Sequence, residues 1–210
     1  MTHASETRLL NPEAIEAESF RIIAAEMGPH SFTPEEFAVV QRAIHSTADF
    51  EFARTLRFAP ESIRRGIEAL RAGRTIVADV QMVQAGINKA GLKKFGGEVL
   101  CFISDDDVIA AAKEAGLTRA IMSMRKAAQN VPDAIYAIGN APTALLELCR
   151  IADAARPSLI VGVPVGFVSA AESKAELAET SLPYITALGR KGGTPVAVSI
   201  INALIRLAGN

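Results

Sequence analysis

The sequence predicts a three-layer α/β domain, a mostly parallel five-stranded sheet with helices on both faces, preceded by an N-terminal helical segment. Three observations point there. From Arg74 onward short apolar runs alternate with amphipathic stretches, the order of right-handed βαβ units. The first third instead reads as helices, with clear start and stop signals. Half of the 210 residues are apolar and 21% are charged, enough for one sizeable core but too short a chain for two full domains. We place a single domain over residues 11–210 and expect residues 1–10 to form a flexible N-terminus.

The first helix is expected over residues 12–27, where Ile15, Phe20, Ile22 and Ile23 fall near one another before the breaker Met27-Gly28-Pro29. The second starts at a capping box, Thr33 with Glu36, with Pro34 suited to the first turn, and runs to about Asp49. A third spans about residues 60–72 and ends at Gly73. Five apolar runs then read as buried strands: residues 75–80, 99–103, 120–124, 134–138 and 159–165. Helical patterns lie between them at 107–115 and 141–155, and residues 195–207, apolar on most sides, read as a buried final helix. In an open parallel sheet a ligand sits beyond the carboxyl ends of the strands. The loops to search are therefore residues 79–82, 104–107, 123–126, 139–143 and 162–174.

Composition narrows the function. A net charge of −1 offers no basic field for nucleic acid or an anionic membrane, so an anionic ligand must be met by locally placed cations. Cys101 and Cys149 sit in apolar patterns and suit buried thiols in a reducing compartment. The longest apolar stretch, residues 159–168, is too short and too broken by Gly and Pro to span a bilayer, and a cytoplasmic protein is expected. No phosphate loop, dinucleotide fingerprint, His-Glu-x-x-His, Cys-x-x-Cys or nucleophile elbow is present. The acidic run Ser104 to Asp107 resembles a magnesium site, but it opens a helical pattern where a Ser cap and carboxylates are favoured, so no metal is expected there.

Three histidines are available for proton transfer near neutral pH. His3 is terminal and His30 lies in a turn. His45 falls inside the second helix on the border of the stripe Phe37, Val40, Ile44, Ala48, where it can face a cleft. Asp49, one turn later, is placed to orient its ring. By pattern alone a structural or solvated histidine is the favoured reading, since intermediate burial is common for this residue type. Arg190 and Lys191 precede Gly192, Gly193 and a helix start, a setting for an anion or simply a solvated basic turn. Arg119, Arg125 and Lys126 bracket the third apolar run with the same two readings. Glycine-lined turns at 139–143 and 162–169, with Asn140 and the pair Ser169 and Glu172 as caps, favour a ligand shelf at one sheet edge.

The strings Ile138 to Leu145 (IGNAPTAL) and Gly162 to Lys174 (GVPVGFVSAAESK) resemble the precorrin-8X methylmutase family. PEAIEAESFRI, QRAIH, DVQMVQAG and GRKGGT match it further, in the family's order, over nearly all of the chain after about residue 10. The resemblance implies an isomerase that moves a methyl group from C-11 to C-12 of a precorrin ring without an added cofactor, giving hydrogenobyrinic acid. It also implies a homodimer whose tetrapyrrole site is built partly across the interface. The family's catalytic histidine matches His45, and Ser19, Arg42 and Arg119 match substrate contacts. Asn140 and Arg190 are added by motif position. A sigmatropic methyl shift needs only a held ring and a proton on a ring nitrogen, and one imidazole suffices for that. Rival readings are a cobalt-precorrin-8 methylmutase, a non-catalytic tetrapyrrole carrier, and a nucleotide- or flavin-binding oxidoreductase of shared architecture.

Overall fold

The computed structural model describes residues 11–210, so the expected flexible stretch 1–10, with His3, lies outside the described residues. Helix α1 (Pro12–Met27) starts where the Asn11 side chain accepts from the amides of Glu13 and Ala14. Helix α2 (Pro34–Thr47) starts with the capping box: Glu36 N donates to Thr33 Oγ1 at 3.2 Å, and Thr33 N donates to Glu36 Oε2 at 2.9 Å. Two short elements follow, α3 (Phe52–Thr55) and strand β1 (Leu56–Phe58), and then α4 (Ser62–Arg71).

The alternating part runs β2 (Ile76–Ala78), α5 (Gln81–Gly86), α6 (Lys89–Lys93), β3 (Val99–Leu100), α7 (Asp106–Ala115), α8 (Arg119–Asn130), β4 (Ile135–Ile138), α9 (Pro142–Arg150), α10 (Ala152–Ala155), β5 (Leu159–Gly162), α11 (Ala170–Ala178), β6 (Tyr184–Ala187) and α12 (Thr194–Ala208). The strands lie in the order β1-β6-β5-β4-β2-β3. Every pairing is parallel except β1 with β6. Because strand side chains alternate, Ile76, Ile135, Leu159 and Ile185 join a core beneath α2, α4 and α12, whereas Val77, Tyr136 and Ile160 face α8, α9 and α11. Helix α12 is the pillar of the first layer. It packs on α2, α4, α5, β4 and β5, and Ile200, Ile201 and Leu204 are fully buried along it. Among the described residues no helix is long and apolar enough to cross a membrane.

The α/β class, the mostly parallel sheet and the leading helices are as expected, but the sheet has six strands and two expectations change place. Residues 120–124 are not a strand. They begin α8, whose Ala120, Met124, Ala127 and Ala128 are buried at helical spacing and whose start is capped by Thr118; a short apolar run does not by itself separate the two periods. Strands β1 and β6 replace it. The first is three residues on an edge, and the second carries Thr186, buried because its hydroxyl donates to Gly162 O at 2.5 Å. Both cysteines are half-buried rather than buried, and burial pushes the Cys149 thiol up to about 11.

The same correction moves residues 123–126 from a strand-end loop to mid-helix. Arg125 Nε donates to Glu147 Oε1 at 2.6 Å, and Arg150 bonds both oxygens of the same buried carboxylate. Lys126 donates to Asp105 and Asp107 at 2.7 and 2.6 Å, which is how the acidic run is used, and the expected Ser104 cap is absent because Asp105 takes the N-cap place.

At the carboxyl end of β2, fully buried Asp79 accepts three successive amides of the β4–α9 turn: Gly139 at 3.1 Å, Asn140 at 2.7 Å and Ala141 at 2.8 Å. Burial raises its pKa against the opposing pull of those amides.

Two outcomes follow from these contacts. Hydrogen bonds from Arg150, reinforced by Arg125, hold the Glu147 carboxyl down to about 2 from 4.5, so its contribution is complete above pH 4.5 and is lost as pH falls through 2. Urea unfolding of E147Q at pH 7 should show a loss of about 1–3 kcal/mol, shrinking in acid, since solvent screens the exposed side of the pair. Replacing Asp79 by Asn turns one acceptor into a donor facing an amide. D79N should lose about 1–3 kcal/mol and speed hydrogen exchange at Gly139 to Ala141; unchanged exchange there would contradict the clamp.

Candidate functional site

The carboxyl edge of the sheet is formed by the turns after β4, β5 and β6, and two backbone bonds join the last two. Gly193 N donates to Val163 O at 2.8 Å and Gly166 N to Arg190 O at 3.2 Å. The approach is so close that a Cβ at position 192 would lie 2.3 Å from Val163 O, and Gly193 has φ 113°, so both glycines of the GRKGGT string are dictated by space and conformation. Under this turn, fully buried Lys174 donates from Nζ to Lys191 O at 2.6 Å, and burial lowers its pKa to about 8. Above it, the Arg190 guanidinium lies 5.5 Å from the Phe167 ring centroid. Phe167 and Val168 are each 83% exposed and form an apolar surface on this loop.

The second group of expected residues stands on the α1–α2 pair. His45, in the last turn of α2, is exposed, and the Phe20 ring meets it edge-on at 5.4 Å. Ser19 is half-buried beside Phe20. One turn before His45, Arg42 donates to both oxygens of Glu16 at 2.9 and 3.3 Å and lies 4.9 Å from the Phe20 centroid. Arg206 shares the Glu16 carboxylate at 2.8 Å. Arg42 first, then Arg206, holds that carboxyl below its ordinary range. The two arginines, Lys94 and Asn202 line a hollow of about 380 Å³. His45 is outside that hollow, about 5 Å along the helix axis from Arg42.

Asp49 does not orient His45. Its carboxylate accepts Lys191 Nζ at 2.6 Å and Glu51 N at 2.9 Å, and Lys191 also bonds Glu51 at 2.8 Å. An ammonium beyond the helix end competes better than an imidazole on the preceding turn. This ion pair ties the α2 end that bears His45 to the turn that bears Arg190. Lys191 holds the Asp49 carboxyl below its ordinary range.

Along the edge, Asn140 is exposed on the turn clamped by Asp79, but it does not cap α9, whose N-cap is Ala141. Ser169 occupies the N-cap place of α11 in a left-handed conformation and makes no capping bond, so the expected box with Glu172 is absent. Arg119 begins α8, and the adjoining Thr118 hydroxyl meets Thr143 of α9 at 3.2 Å, which sets Arg119 beside the Asn140 turn. Its guanidinium has no ion pair among the described residues, nor has that of Arg190. The structure thus makes two groups, Arg119, Asn140 and Arg190 along the edge and Ser19, Arg42 and His45 on the α1–α2 face. Lys191, Asp49 and Glu51 link them. Sequence reasoning missed Asp79, Lys174 and Glu16. Asp79 and Lys174 lay inside quoted motifs, and a charged residue flanking an apolar strand or a glycine turn was the available signal.

Among the described residues no three His, Cys, Asp or Glu side chains gather as a metal would need. The model of the family described as "Precorrin-8X methylmutase" matches residues 14–207. Cobalt-precorrin-8 methylmutase of Priestia megaterium is 54% identical over 95% of this chain and 89% of its own length. Precorrin-8X methylmutase of a Sinorhizobium species is 39% identical over 92% and 93%. The solved structure of precorrin-8x methyl mutase from Thermus thermophilus superposes with a TM-score of 0.87 at 45% identity, covering 93% of this chain and 96% of that one. A match of this extent in both sequence and fold settles kinship: the chain belongs to the precorrin-8X methylmutase family.

Proposed function

We propose that the protein is an isomerase that moves the methyl group from C-11 to C-12 of a precorrin-8-type ring, with His45 delivering a proton to a ring nitrogen. The observation that carries this reading is the exposed imidazole at the end of α2, one turn from Arg42 and joined by the Lys191 ion pair to the cation-bearing sheet edge. Protonation makes the ring π-system electron-poor, and the migrating methyl needs no nucleophile or hydride. General acid catalysis contributes about a hundredfold to ten-thousandfold. Orientation supplies the rest, and here it falls to Ser19, Arg42, Arg119, Asn140 and Arg190 as contacts for the acetate and propionate groups. Arg119 and Arg190 are the readiest of these, because no carboxylate among the described residues neutralises them. Arg42 already shares Glu16 with Arg206, so a substrate carboxylate on Arg42 competes with that bond.

We further assign the active form to a cytoplasmic homodimer. Phe167 and Val168 form an exposed apolar shelf beside the site, and a second subunit would cover it while closing the open side of the ring site. A second reading concerns the substrate: the greater identity to the cobalt-precorrin-8 enzyme, 54% against 39%, favours a ring already carrying cobalt.

The test is an optical assay with metal-free and cobalt-loaded substrate in parallel. H45A should lose about a hundredfold or more in turnover while binding hydrogenobyrinic acid nearly as wild type; wild-type turnover would remove His45 from the mechanism. R119A and R190A should each weaken product binding by about tenfold with turnover at saturation little changed, read by titration of the corrin absorbance.

A further inference from the structure

We propose that Lys174 is a positioning residue that fixes the Lys191–Gly192 peptide so that the Gly192 N–H stands outward as a donor to a substrate carboxylate. The choice of ligand rests on the proposed function; the geometry does not. Lys174 is fully buried and grips Lys191 O from below at 2.6 Å. The peptide bonds are trans, so the Gly192 N–H points opposite to that carbonyl, away from the interior. It has no partner among the described residues, whereas the next amide, Gly193 N, is spent on Val163 O. Residue 192 itself carries no side chain that could cover it, since a Cβ there would lie 2.3 Å from Val163 O. An ammonium on the carbonyl polarises the peptide and strengthens its N–H as a donor.

A lysine used only for packing is a poor choice here, because a buried ammonium is costly and this one has no carboxylate partner among the described residues. On the elements packed against its helix, α9 and β6, and on the β6–α12 turn, the charged and titratable groups have their own neighbours. Glu147 of α9 bonds Arg125 and Arg150, Cys149 senses Glu176, Tyr184 of β6 donates to Ala178 O, and Lys191 reaches Asp49 and Glu51. Arg190 lies over Phe167. Burial alone brings Lys174 to about 8, so its charge is lost in an accessible range.

Two measurements test the proposal. In the wild-type protein, the amide resonance of Gly192 should titrate with a midpoint near 8, as Lys174 loses its proton, and K174M should lack that titration. A Gly192 resonance indifferent to pH across this range in the wild type overturns the proposal, whether or not K174M folds. Against hydrogenobyrinic acid, K174M should bind about tenfold to a hundredfold more weakly, with KM raised and kcat little changed; K174Q, which keeps a donor, should recover part of the loss. Wild-type affinity in folded K174M overturns the proposal and leaves the proposed function standing. Failure of the wild type to bind the corrinoid, with the Gly192 titration intact, removes the proposed function and with it the ligand assigned here.

Discussion

Turns leaving a parallel sheet carry amides and carbonyls that no strand ladder satisfies, and in this protein two buried ionisable side chains take up part of that duty. Asp79 collects three amides after β4, and Lys174 holds one carbonyl after β6. Each is buried without an opposite charge in contact among the described residues, and each is therefore tied to backbone that it cannot abandon without exposing a charge to the core. The consequence is a rigid edge. Asn140 on one turn and Arg190 on another, which we propose face the substrate, inherit their positions from side chains below the surface.

The edge is also where the two halves of the chain meet. Helix α2 belongs to the N-terminal segment, yet its end is held to the β6–α12 turn by Lys191 on Asp49 and Glu51. That bridge is exposed and worth little to stability. Its value is geometric, because it sets the helix end bearing His45 beside the turn bearing Arg190. Although the net charge is −1, the acidic residues pair with Arg42, Arg125 and Lys126 and leave Arg119 and Arg190 unpaired among the described residues, which is what the proposed anionic substrate requires.

Much of the fold was legible where local chemistry decides it. The Thr33 capping box, the Gly28 stop and the apolar last helix stand where the pattern placed them, because each depends on neighbours within a few residues. The stretch at 120–124 misled because Ala and Met pack equally well in a strand or on a helix face, and strand β6 was hidden by a buried threonine. The site was legible in the same measure. Motif spacing located the glycine turns, but the pairing of Asp49 with Lys191, across 142 residues of chain, overrode the local inference that Asp49 serves His45. Buried Lys174 was unreadable for a related reason: a lysine in an amphipathic helix is expected at the surface, and only the overlying turn explains its place.

The most direct test of this account is a structure of the protein with the corrin product bound. The account requires an imidazole nitrogen of His45 within about 3 Å of a ring nitrogen, with product carboxylates on the Arg190 guanidinium and the Gly192 N–H. A ring bound with His45 out of reach, or with its carboxylates directed away from the β6–α12 turn, would contradict it.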